Sequence, residues 1–278
     1  MVTAPKPQYA LNHILAPRLD TRAFCSLASR VGIDAVELRN DIGEHSIRTA
    51  ADARQARQAA DDHGIRILSI NALQQFNYWT DDRDREARAM IEQVVICGGD
   101  YLVMCPVNLA SYQVDSETGR QRLLESLNRL EPLLADAGIK GLIEPLGFSI
   151  SSLRSKQSAV KAIDTLDAWQ TFGLLQDSFH HHVADETQVY PRMTELVHIS
   201  GVSARTTPRA ELQDSHRIMV GRDDIMDNCG QMNELLRAGY RGYFSFEPFA
   251  RSVQDADDHE SLVRQSIQFL DQQLAGTA

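Results

Sequence analysis

Cysteine is scarce and scattered. The four thiols, Cys25, Cys97, Cys105 and Cys229, form no CxxC pair and no zinc-finger spacing, so reduced thiols are expected in place of a disulfide framework or a thiolate metal site. No run of eighteen uninterrupted apolar residues occurs, and Met1 to Gln8 lacks the apolar stretch of a signal peptide; the expectation is a soluble, cytoplasmic protein with no membrane partner. Basic residues are too few and too dispersed to form a patch: 28 Lys and Arg face 38 Asp and Glu, for a net charge of −10. Such a chain repels phosphate backbones, so no nucleic acid partner is expected. Linkers, low-complexity segments and Pro/Gly/Ser-rich boundaries are also missing, which leaves one domain over residues 1–278 as the simplest organisation.

What is present is a repeated alternation. Hydrophobic residues make up 43% and charged residues 24%, enough to build a sizeable core. Short runs rich in Val, Ile and Leu predict strands at Tyr9 to Asn12, Ala35 to Arg39, Ile65 to Asn71, Tyr101 to Cys105, Lys140 to Glu144, Phe172 to Asp177, Val197 to Ser200 and Gly242 to Glu247. Between them, amphipathic stretches predict helices at Thr21 to Val31, Ala50 to His63, Arg83 to Cys97, Gly119 to Ala137, Lys156 to Gln170, Ile225 to Ala238 and Asp257 to Leu274. Gly32, Gly64, Gly98, Gly138 and Gly239 each end a helix shortly before a strand, as in "VGIDAVEL", "HGIRILSI" and "CGGDYLVM". A doubly wound open sheet would give similar local signals. The eight-fold recurrence favours a (β/α)₈ TIM barrel, a fold that commonly needs about 250 residues. The irregular stretch Gly201 to Asp224, after the seventh strand, reads as an active-site loop.

Barrel active sites form at the C-terminal strand ends. There the sequence puts Glu144 ("GLIEPLG"), Asp177 ("LLQDSFHHH"), His198 ("LVHISG") and Glu247 ("FSFEPF") on strands five to eight. Singly, a strand-end carboxylate is more often a helix N-cap or ion-pair partner, and a lone histidine more often a hydrogen-bonded core residue. Three carboxylates converging with one imidazole would repel unless a divalent cation joined them; such a ligand set suits Mn²⁺, Co²⁺, Zn²⁺ or Mg²⁺. His180 and Arg217 could contact a substrate oxygen, and Arg39, Asn12 and Asn71 would line the same mouth or cap helices. His181 and His182 read as polar loop. Phe76, Tyr78 and Trp79 read equally as a wall over the site or as cover for the barrel end.

These residues resemble the xylose isomerase-like barrels, a group that includes ketose 3-epimerases, inositol-catabolism enzymes and abasic-site endonucleases: the order Glu, Asp-x-x-His, His, Glu matches Glu144, Asp177 with His180, His198 and Glu247. Within the group, "AVELRND", "CGGDYLVMCPVN", "GLIEPLGFSISSLRS", "HRIMVG" and "GYRGYFSFEPF" look like the 2-keto-myo-inositol (inosose) isomerases, over nearly the whole chain. One departure is Ser178, where many relatives carry Thr. The resemblance implies one divalent ion, Mn²⁺ foremost with Zn²⁺, Co²⁺ or Mg²⁺ as alternatives, held by Glu144, Asp177, His198 and Glu247. It implies that Glu144 and Glu247 are catalytic and that His180, Arg217, Arg39 and Asn71 bind substrate. The expected reaction is proton transfer through an enediolate of a small polyol ketone, interconverting 2-keto-myo-inositol and 1-keto-D-chiro-inositol. A ketose 3-epimerase and an inosose dehydratase are the nearest alternatives; an abasic-site endonuclease conflicts with the acidic charge, and a non-catalytic binding module with the complete ligand set. A homo-oligomer is open, since exposed barrel helices often support one.

Overall fold

In a computed structural model, which describes residues 6–275, the alternation closes on itself. Eight parallel strands, β1 (Gln8–Asn12), β2 (Ala35–Arg39), β3 (Arg66–Gln74), β4 (Tyr101–Cys105), β5 (Lys140–Ile143), β6 (Phe172–Asp177), β7 (Thr194–Ile199) and β8 (Tyr243–Phe246), pair in sequence order. The ring is completed by β8 against β1, with Leu11 opposite Phe246. The open-sheet alternative is therefore excluded and the barrel expectation holds. Around it run α1 (Thr21–Arg30), α2 (Ala50–His63), α3 (Asp81–Cys97), α4 (Ser116–Ala137), α5 (Lys156–Leu166), α6 (Ser178–Val183), α7 (Asn228–Arg237), α8 (Arg251–Gln254) and α9 (His259–Ala275). No helix among the described residues is long and apolar enough to cross a membrane.

Strand parity sorts the side chains. Outward residues such as Val36, Leu38, Leu102, Met104, Phe244 and Phe246 join the helices in one large apolar cluster. Inward residues near the N-terminal strand ends, among them Ala10, Ala35, Leu68, Val103, Leu142 and Leu196, form a second, smaller one. The same inward parity continues two residues further along as Asn12, Glu37, Cys105, Glu144 and His198, all buried. Polarity on that face is thus a function of height in the barrel, and the charge sits above an apolar floor.

All five helix-ending glycines have positive φ, from 66° to 100°, the left-handed conformation that side chains resist. Where the structure departs from the sequence expectation, the causes are local. Helix α5 stops at Leu166, because Asp167 takes the left-handed cap with φ 53°. Strand β7 begins at Thr194, three residues before the apolar run that signalled it. The largest miss is α6: the segment read as a polar loop is a six-residue helix, too short to show helical periodicity. Its N-cap is Asp177, whose Oδ1 accepts from the backbone N–H groups of Phe179 (2.6 Å) and His180 (3.1 Å). His181 is buried there, its Nδ1 accepting from Lys156 Nζ at 2.7 Å, while Lys156 also pairs with Glu186 at 2.6 Å. Burial and the neighbouring ammonium push the His181 pKa down to about 4.

Candidate metal centre

Four side chains meet at the top of the barrel. Glu144 and Glu247 each lie one residue past their strands, yet their N–H groups continue the ladder to Met104 O (3.1 Å) and Ile199 O (2.9 Å), so both carboxylates hold inward parity. With Asp177 at the end of β6 and His198 inside β7, they offer ligand atoms all within 4.8 Å of one another, and every member is buried. His198 Nδ1 stands 3.0 Å from Glu247 Oε2, 3.3 Å from Glu144 Oε1 and 3.9 Å from Asp177 Oδ2. Among the described residues this is the group able to hold a metal ion. Asp177 caps α6 with one oxygen, while the other, Oδ2, faces His198.

A fourth carboxylate joins them that the strand-end pattern does not mark. Glu37, in the middle of β2, is fully buried, and both its oxygens lie near His198 Nε2, at 3.0 and 3.2 Å. It is further held by Ser69 Oγ (2.7 Å) and Asn71 Nδ2 (2.9 Å) on Oε2 and, more distantly, by Asn12 Nδ2 (3.4 Å) on Oε1. The signal was available: in "AVELRND", Glu37 shares the inward parity of Arg39. Strand-end position marks only the carboxylates that close an apolar run, and Glu37 lies inside one.

Two guanidiniums complete the centre. Arg217, 1% exposed, donates through Nη2 to Asp177 Oδ2 (2.5 Å) and Glu247 Oε2 (2.9 Å) and through Nε to Ser200 Oγ (3.0 Å). Its plane lies near the rings of Phe179 and Phe249, at 5.0 and 4.7 Å. The loop from Gly201 turns back to deliver it. Gly201 pairs with Ile218, and any Cβ on Gly201 would stand 2.7 Å from Met219 O. Arg39 donates to Glu247 Oε1 at 2.8 Å and clamps Asp41 with its other nitrogens. Both arginines thus contact the carboxylates directly. The Asn71 amide nitrogen is directed to Glu37 and Ser69, beside the His198 Nε2 edge and not beside Nδ1.

The electrostatics show what the set lacks. Among the buried groups, Glu37, Glu144, Asp177 and Glu247 bring four negative charges against two from Arg39 and Arg217, leaving two that a divalent cation would balance with His198 neutral; Asp41 and Asp214, which share the guanidiniums, are each 45% exposed and solvated. Without an ion the imbalance falls on the imidazole: burial lowers the His198 pKa, but Glu247, Glu37 and Glu144 together raise it well above its ordinary value. Burial likewise works against the ionised Glu247, and His198 with Arg217 overcomes it, holding that carboxyl well below the usual range. The donor set therefore fits a divalent ion.

Of the remaining expected residues, His180 is 5% exposed, packed edge-on against Phe148 (5.0 Å) and Phe179 (5.3 Å), and its Nδ1 has no partner. Cys105, not anticipated, contacts Glu144 Oε2 through its thiol at 3.3 Å. Phe76 is buried in the core, and Tyr78 packs instead on Tyr112 and Arg122.

One similar structure is a xylose isomerase domain-containing protein from Salmonella typhimurium LT2. It is 32% identical, with a TM-score of 0.87 over 97% of this chain and 99% of that one. The IOLI protein with a bound zinc atom superposes with a TM-score of 0.80 at 19% identity, over 97% and 98% of the two chains. The 3-keto-D-glucoside 4-epimerase YcjR from E. coli gives 0.73 at 17%, over 96% and 100%. No curated protein sequence matches the chain. The profile of one family matches residues 25–273, a span that holds all eight strands but the first and all four clustered ligands, and this chain belongs to that family, the xylose isomerase-like TIM barrels.

Proposed function

We propose that this protein is a divalent-metal-dependent isomerase or epimerase of small polyhydroxy ketones, with interconversion of 2-keto-myo-inositol and 1-keto-D-chiro-inositol as its reaction. The observation that carries the reading is the buried meeting of Glu144, Asp177, His198 and Glu247 at the C-terminal strand ends, two charges short of neutrality. A zinc-bound barrel and a keto-sugar epimerase among the structural neighbours are consistent with it. Mn²⁺ is the proposed ion, with Zn²⁺ the alternative that the IOLI neighbour favours.

Held by those four residues, the ion would stabilise negative charge on the oxygens of an enediolate. The chain's own groups do the rest. Glu144 and Glu247 enter from the ends of β5 and β8, three strands apart around the ring, and act as the pair that removes a proton beside the ketone and returns one. Return to the former carbonyl carbon, with the hydroxyl proton relayed between the two oxygens, moves the ketone; return to the same carbon from the other face gives an epimer. The unpartnered His180 Nδ1 meets a substrate oxygen. Arg217 and Arg39, fixed against Glu247, keep that carboxylate ionised and oriented, and Arg217 lends its remaining donor capacity to substrate oxygen.

The test is incubation of the purified protein with 2-keto-myo-inositol in D₂O, with Mn²⁺ or with a chelator, followed by NMR. Metal-dependent migration of the ketone to the adjacent ring carbon supports the isomerase. Deuterium incorporation without migration would replace it by the epimerase, a new diketone or enol absorbance by the dehydratase, and no exchange with any metal would remove the reading.

A further inference from the structure

We propose that Glu37 is the positioning residue of the metal centre: from the far side of the imidazole it fixes His198 in the Nε2–H tautomer and so presents the Nδ1 lone pair to Glu144, Asp177 and Glu247. The inference rests on the metal reading given above and adds to it a residue outside the ligand set.

The geometry divides the five acidic and imidazole groups into two sides. His198 Nδ1 faces three carboxylates, at 3.0, 3.3 and 3.9 Å, while Nε2 faces Glu37 alone among carboxylates, at 3.0 and 3.2 Å. Glu37 does not belong to the four-residue group whose ligand atoms converge. A neutral imidazole carries one proton, and a carboxylate that can only accept holds that proton on Nε2. The nitrogen left bare is the one that faces the other three groups. Carboxylate partners of this kind fix ring orientation and raise the basicity of a ligating histidine.

Two further observations argue against a packing role. Inward positions lower in the barrel are Ala, Leu and Val, so this interior fills its space with apolar side chains; a fully buried glutamate costs several kcal/mol unless it is compensated. Its compensation is built from three different strands: Ser69 and Asn71 of β3 hold Oε2, Asn12 of β1 reaches Oε1, and His198 of β7 meets both. Asn12 Nδ2 also lies 3.2 Å from Glu247 Oε1, so the cradle that orients Glu37 touches the ligand set on its other side.

The experiment needs the wild-type chain first. Protein labelled with ¹⁵N-histidine is stripped with a chelator, then loaded with Zn²⁺, and the imidazole whose signals move on loading is read for tautomer. The expected result is a metal-shifted Nδ1 with a protonated, strongly hydrogen-bonded Nε2; a Zn²⁺-shifted Nε2 with the proton on Nδ1 overturns the proposal without any variant. The second measurement is calorimetric Zn²⁺ and Mn²⁺ affinity of E37Q and of S69A, which loosens Glu37 without removing it. E37Q is expected to bind about 10–100-fold more weakly, and S69A to fall between it and wild type. In both variants the midpoint of thermal unfolding of the stripped protein is expected to move far less than metal affinity. Affinities within twofold of wild type in both variants overturn the positioning role and leave the metal centre standing. Absence of Zn²⁺ and Mn²⁺ binding by the wild-type chain itself overturns both.

Discussion

The two halves of the barrel interior are built from the same strands with the same inward parity, and they do opposite things. Near the N-terminal ends the inward residues are Ala10, Ala35, Leu68, Val103 and Leu142, an apolar plug. A layer or two higher they are Asn12, Glu37, Glu144, Asp177, His198 and Glu247, equally buried and mostly ionisable. Burial therefore does not distinguish the halves; compensation does. The lower half is stabilised by removing apolar surface from water. In the upper half four buried carboxylates face two guanidiniums, Arg39 from β2 and Arg217 from the loop after β7, which leaves two charges that a divalent ion would balance.

That contrast can be broken most sharply at Glu247. With both oxygens held by Arg39 and Arg217, E247Q should keep the fold and lose turnover by about 1,000-fold, measured by steady-state kinetics with saturating metal; full turnover would end its assignment. In the lower half, L68A removes a side chain that is 1% exposed and should cost about 3 kcal/mol in urea unfolding, with calorimetric metal affinity unchanged. A large loss of affinity there would mean that the two halves are not separable.

A buried histidine beside the charged centre gives the next effect. His13, after β1, stacks on Phe24 and has its Nε2 at 2.9 Å from Leu19 O; burial lowers its pKa to about 4. A depressed folded-state value means that the fold excludes a proton the unfolded chain accepts. The stability it contributes is thus present at neutral pH and lost as pH falls from about 6.5 towards about 4. Between pH 7 and pH 5 this should amount to about 2 kcal/mol, checked by urea midpoints, and H13Q should flatten the dependence. The smallest effect lies outside the barrel: T49A, which breaks the capping box with Asp52 at the start of α2, should cost about 1 kcal/mol and leave turnover alone.

Much of this architecture was legible because it is local. Apolar runs of strand length, helix-ending glycines and capping residues report backbone preferences that neighbours in sequence enforce, and their recurrence gave the barrel. The strand-end rule then draws Glu144, Asp177 and Glu247 out of the chain, with His198 carried on the seventh strand, and the structure brings all four together. Helix α6 is not legible because six residues show no periodicity and its cap, Asp177, also ends β6. Glu37 escaped because one charge within "AVELR" looks like the polar side of an alternating strand, and only a closed barrel makes that side an interior.

The sequence by itself determined the order of the eight strands and of the seven longer helices, and which residues close the strands, since these follow from periodicities of two and 3.6 residues. Tertiary structure alone decided that Arg217, delivered by a loop seventeen residues beyond Ser200, bridges Asp177 and Glu247, and that Glu37 meets the Nε2 edge of His198, 161 residues away. Pairings of that kind depend on the closure of the ring and its register, and no local preference of the chain encodes them.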